Sequence, residues 1–142
     1  MLQYTRRAAF TLVEILIVVV ILGILAAMVV PQLTNAAQDA ASTSTFSELQ
    51  KIRRHISMYR SRNSDRLPVV EEDDGAWGAL IGVDHLLSAP VNAWVGGENS
   101  RVIVFGDAPD TEYHRDYGWI FDPVSGEVWA GGFDENDQPF AR

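Results

Sequence analysis

Cysteine is absent from this 142-residue sequence, which excludes a disulfide framework and any thiolate metal site, and removes cysteine usage as a guide to compartment. Basic residues are scarce, 11 against 19 acidic ones for a net charge of −8. That balance excludes a nucleic-acid binder held by phosphate contacts. Only three histidines occur, His55, His85 and His114; they fall in different segments and lack metal-ligand spacing. There is no Gly-rich phosphate loop and no nucleophile elbow, so nothing in the sequence points to an enzyme. Charge of either sign is nearly missing from one long stretch. Residues 10–30 hold a single charged side chain, Glu14, and residues 15–38 hold none.

That stretch carries most of the information. A helix over residues 10–30 would be about 32 Å long at ~1.5 Å per residue, matching the hydrocarbon thickness of a bilayer. Arg6 and Arg7 precede it and no acid accompanies them. The positive-inside rule therefore predicts a short cytoplasmic N-terminus, with everything after Pro31 on the far side. A cleaved secretory signal has an apolar core of roughly 7–15 residues before a small-x-small site, and this run is too long for one. Glu14 is the anomaly, because a charge at the centre of a bilayer helix costs about 2.5–3.5 kcal/mol. Either it answers an opposite charge or it rests near the interface, where its cost is small.

Beyond the span the helix is predicted to continue. Phe46, Leu49, Ile52, Ile56 and Tyr59 recur every three or four positions, with Gln50, Lys51, Arg53, Arg54, Arg60 and Arg62 between them. This is one apolar stripe on a solvated helix, and it should stop near residues 62–65, before Leu67-Pro68. Pro31 and Gly23 bracket the weakest stretch of backbone. Residues 66–142 read as a small mixed domain. The acids Glu71 to Asp74 are expected to cap and charge the first turn of a short helix over residues 75–81, and residues 84–87 to form a second short turn. Val102 to Phe105 has the composition of a buried strand. Asp122-Pro123-Val124-Ser125-Gly126 is turn chemistry between two β-prone runs, a predicted hairpin. Trp77, Trp94, Trp119 and Trp129 read as core and sheet anchors rather than a ligand platform. The expected fold is α+β, a long N-terminal helix with a transmembrane half and an amphipathic half, packed on a small antiparallel sheet of about three strands. Asp134 and Asp137 place hard oxygens in a short loop without EF-hand spacing. They are a candidate cation site or a solvated acidic loop.

Ala9-Phe10-Thr11-Leu12-Val13-Glu14, followed by the apolar run with Gly23 and Pro31, resembles the class III signal of type IV pilins and type II secretion pseudopilins. The resemblance covers residues 6–62. Ala89-Pro90-Val91-Asn92 and residues 118–123 with Gly126 are more loosely similar to the family's sheet motifs. Type IV pilins often carry a C-terminal cysteine pair, so its absence tilts the resemblance toward a pseudopilin. It implies a leader over residues 1–9, a transmembrane and filament-core helix over 10–31, its amphipathic continuation over 32–64 and a globular domain over 65–142. It further implies cleavage by a prepilin peptidase between Ala9 and Phe10, where the family usually has glycine before the cut, and methylation of the new amine. Glu14 would then accept that charged amine inside a bundle of helices, and Gly23 and Pro31 would act as a helix hinge. The implied partners are further copies of the chain, minor pseudopilins, and an inner-membrane assembly platform with a separate ATPase. Calcium in a C-terminal loop, with Asp134 and Asp137 as candidates, is the one cofactor implied. The protein would sit in the inner membrane with its C-terminal domain extracytoplasmic. A non-polymerising, membrane-tethered binding module with an acidic domain is the alternative reading.

Overall fold

The computed structural model describes residues 11–73, 75–82 and 86–142. The chain divides into two compact units, Met1–Ala37 and Gln38–Arg142. Helix α1 runs over Leu12–Arg62. It is followed by two 3-10 turns, Gly78–Leu80 and Glu98–Arg101, and three short strands, β1 Ile103–Phe105, β2 Trp119–Phe121 and β3 Val128–Ala130.

In the second unit α1 buries Leu49, Ile52 and Ile56, with Tyr59 partly covered. The stripe begins at Thr45 rather than at Phe46. Thr45 is fully buried, whereas Phe46 keeps 44% of its surface exposed. Positions 45 and 46 both lie within one turn of Leu49, and a buried polar partner, Asn92, selects the hydroxyl over the ring. The helix stops where the Leu67-Pro68 argument placed it. Asn63 donates from its backbone and side chain to Tyr59 O, and Ser64 and Asp65 turn into the left-handed region at φ 55° and 64°. There the Arg60 guanidinium meets Asp65 at 2.8 Å and holds its carboxyl below the usual carboxylate range.

The sheet has the order β1-β2-β3. β2 and β3 form the expected hairpin, pairing Trp119 with Ala130 and Phe121 with Val128. Its turn is closed by Asp122, whose carboxylate accepts from Val124 N and Ser125 Oγ and is held below its ordinary pKa by them. Gly126 takes φ +80° in that turn, and a Cβ there would collide with the Leu67 side chain. The expectation of a wholly antiparallel sheet is corrected at β1, which pairs with β2 in parallel, Ile103 with Trp119 and Phe105 with Phe121. A parallel pair needs a crossover of a dozen or more residues, and the irregular connection over residues 106–118 supplies it.

The acids at 71–73 do not cap a helix. The 3-10 turn Gly78–Leu80 has Trp77 at its N-cap position, no side-chain cap bond and no acid in its first turn. Positive φ at Gly75 and Gly78 breaks any helix across this stretch. Glu72 instead accepts the Phe105 amide at 2.8 Å, and the Asp73 carbonyl accepts that of Ile103. These acids complete the free edge of β1, which would otherwise offer unpaired donors. Asp74 and the first half of the turn expected at 84–87, residues 84 and 85, lie outside the described residues.

The core of this unit is aromatic. Trp77 and Trp119 are fully buried and meet edge-to-face at 6.4 Å, with Trp77 also 6.2 Å from Phe121. Trp94 stands edge-on to Phe133 at 6.3 Å, and Trp129 is half-buried on β3. The indoles are core and sheet anchors, as their number in so small a domain implies.

Candidate functional site

The apolar half of α1 begins with a reciprocal set of hydrogen bonds. Thr11 precedes the first helical residue, and its backbone N–H and its hydroxyl each donate to Glu14 Oε2 at 2.8 Å. The Glu14 amide in turn donates to Thr11 Oγ1 at 3.2 Å. This is a capping box, in which the residue before the helix and the third residue inside it satisfy one another's free amides. The Thr-x-x-Glu spacing carries the signal for it at positions 11–14, and reading Glu14 only as an intramembrane charge passes over that local role. Among the described residues both bonds to the Glu14 carboxylate fall on Oε2.

Behind the box, every large apolar side chain from Leu12 to Val30 is at least half exposed. The exposure is on all faces of the helix. A helix apolar all round is stable only when lipid or other apolar helices surround it. The richest window has a mean hydropathy of 3.1 and none of it is buried within the chain, so α1 is long and apolar enough to cross a membrane. Gly23 lies within this stretch with open space around its missing side chain, and α1 is helical through both Gly23 and Pro31. Ala9 and Phe10, the expected processing pair, lie outside the described residues.

The other candidate residues fall elsewhere. Asp134 Oδ1 accepts the amides of Asn136 and Gln138, both at 2.8 Å, which closes the C-terminal loop on itself. Asp137, with φ 58°, faces α1 and receives Arg53 on both carboxylate oxygens. Among the described residues no three His, Asp or Glu side chains are grouped to hold a metal ion. His114 has a partner the sequence did not suggest: its Nε2 lies 2.6 Å from Asp110 Oδ2. Asp110 also accepts from the Tyr117 hydroxyl at 2.6 Å and from Gly132 N at 2.7 Å. Burial, then the bond to Asp110, pushes the Tyr117 phenol well above its ordinary pKa. The trio fastens the 106–118 crossover to the turn that follows β3, at Gly132. An open groove of about 740 Å³ runs along α1 past Arg53, Ser57, Arg60, Glu127 and Trp129.

Sequence reasoning missed the polar centre of the domain, Asn92. It is fully buried, and its amide donates to Gly118 O and Gly131 O at 2.8 and 2.9 Å. Its Oδ1 accepts Trp94 N, Val95 N and Thr45 Oγ1. One side chain thus ties α1, the segment after Pro90 and both ends of the β2–β3 hairpin. The only signal was the Ala89-Pro90-Val91-Asn92 motif.

The fold and the capped apolar helix define the class of protein: an α+β chain with an N-terminal helix long and apolar enough to cross a membrane. Residues 4–30 match the family described as the prokaryotic N-terminal methylation motif. The type II secretion system core protein G of Aeromonas hydrophila is 30% identical over 119 residues, covering 84% of this chain and 66% of that protein. The proteins of the same name from Dickeya chrysanthemi and Klebsiella pneumoniae are 39% and 38% identical, over 50% and 60% of this chain and 46% and 54% of their own lengths. The chain thus spans less than two thirds of each of these relatives. No solved structure matches the chain significantly. The chain belongs to the type IV pilin and type II secretion pseudopilin family.

Proposed function

We propose that this chain is a structural subunit of a type II secretion pseudopilus, inserted in the inner membrane, processed by a prepilin peptidase and assembled through its apolar helix. The observation that carries the reading is the helix itself, exposed and apolar on all faces from Leu12 to Val30 with Glu14 as its one charge. Lipid covers such a surface before assembly and neighbouring helices cover it afterwards. The relatives named core protein G support the choice of machine. The charge pattern supports self-association as well. Residues 51–66 hold six basic side chains and one acid, whereas residues 67–142 hold three basic and fifteen acidic ones. Unlike faces of identical subunits can therefore attract, and a heterologous contact repeated along an axis builds an open filament. The assembly platform, its ATPase and minor pseudopilins would be the partners.

Processing is the direct test. Cleavage before Phe10 leaves 133 of the 142 residues and removes Arg6 and Arg7, so the formal side-chain charge moves from −8 to −10. Intact mass of membrane-extracted protein should give that chain with one methyl group added. A mature N-terminus elsewhere, or an uncut chain, would overturn the reading. A processed subunit that never appears in sheared, pelleted filaments would favour the membrane-tethered module instead.

The stretch between Gly23 and Pro31 is expected to act during assembly. Pro31 lacks a backbone donor, and Gly23 lowers helix propensity by about 1 kcal/mol relative to alanine. Opening in lipid is disfavoured because freed backbone groups find no water, whereas a packed filament can supply other partners. A filament map should show extended or broken backbone within residues 23–31; unbroken helix there would remove the hinge.

A further inference from the structure

The family to which the chain belongs implies a calcium ion in the C-terminal loop, and the carboxylates here do not fit one. Calcium takes roughly six to eight oxygen ligands. Asp134 Oδ1 is already the acceptor for two amides of its own loop. Asp137 is engaged on both oxygens by Arg53, through Nη1 at 2.5 Å and Nη2 at 2.9 Å. The same guanidinium also donates from Nε and Nη2 to the Val128 carbonyl, at 3.0 and 2.9 Å. Four hydrogen bonds from one planar fork therefore join α1, the first residue of β3 and the loop. The pair is well shielded, with the Arg53 and Asp137 side chains 34% and 16% exposed. A divalent ion placed on Asp137 would have to displace the guanidinium or sit beside a like charge.

We propose that Arg53 is the resident cation of the C-terminal loop, so that this subunit orders residues 134–138 against α1 and β3 without a metal. Arginine suits the task because its fork matches a carboxylate bidentately and stays protonated at any physiological pH. Lysine would supply the charge without the second bond or the reach to Val128. The inference is independent of the filament reading, since it concerns how the domain is closed.

The test uses the full chain in detergent micelles, melted in chelator and in excess calcium chloride, with limited proteolysis of the C-terminal loop followed in parallel. Wild type should give the same midpoint in both conditions, to within about 1 °C, and the same rate of loop cleavage. Arg53→Gln should melt roughly 5–10 °C lower and be cut faster in the loop, and Arg53→Lys should fall between. If Arg53→Gln does not accumulate, Asp137→Asn gives the same comparison, because it removes the partner charge and keeps the shape. A wild-type midpoint raised several degrees by calcium, or calcium protection of the wild-type loop, would overturn the proposal. So would loop cleavage unchanged in both Arg53→Gln and Asp137→Asn.

Discussion

Glu14→Gln is expected to yield a subunit that inserts and is cut before Phe10 yet forms no filaments. The substitution is unusually clean. Glutamine serves a capping box as well as glutamate does, so the bonds from Thr11 N and Thr11 Oγ1 can persist and the helix start is preserved. Only the charge is lost. In a bundle of apolar helices the terminal amine of a neighbouring Phe10 would face a neutral amide instead of a carboxylate. Removing one partner of a buried pair costs about 3–5 kcal/mol, because the other charge stays desolvated and unanswered. That is two to three or more factors of ten in each association step. Insertion should be unharmed or improved, since a neutral side chain is cheaper in lipid. The measurement is the yield of sheared filaments with Glu14→Gln as the only copy, after mass confirms a mature chain beginning at Phe10. Wild-type yield would assign Glu14 to the capping box or the interface alone. A loss counts for pairing only with an undiminished membrane pool of mature subunit. Thr11→Val completes the separation, because it weakens the cap and keeps the charge; its filaments should survive.

Asn92→Ala should unfold the second unit near physiological temperature. The substitution strands the Gly131 carbonyl, takes from Gly118 O one of its two donors, the Gly131 amide remaining, and removes the shared acceptor of Trp94 N, Val95 N and the Thr45 hydroxyl. Each buried polar group left without a partner costs about 1–3 kcal/mol, and a domain of this kind has only about 5–15 kcal/mol in total. A loss of about 3–5 kcal/mol is expected, with Asn92→Asp comparably damaging because it turns a carboxylate oxygen toward two carbonyls. Thr45→Val should be much milder, at about 1–2 kcal/mol, since Trp94 N keeps its bond to Asn92 at 2.9 Å. Thermal melts of the full-length variants in detergent, followed by near-ultraviolet signal from the buried tryptophans, decide the order. A Thr45 variant less stable than the Asn92 variant would show that the hydroxyl, and not the amide, is the centre.

The two centres differ in how far they could be read in advance. The membrane-length helix, its amphipathic continuation, its stop before Pro68 and the hairpin around Asp122–Gly126 follow from the sequence, because each depends on residues within a few positions of one another. Hydrophobic period, chain length against bilayer thickness and turn chemistry are local quantities. Glu14 stood out for the same reason, and its bonds to Thr11 lie only three residues away. The tertiary structure alone decided that β1 runs parallel to β2, that Glu72 completes the edge of β1, that Thr45 replaces Phe46 in the stripe, and that Arg53 takes Asp137. These pairings join residues 16 to 84 positions apart. No periodicity encodes which acid meets which base, since a buried polar group accepts whichever partner the packing brings within hydrogen-bond distance, and that choice is made only when helix, crossover and hairpin close around Asn92.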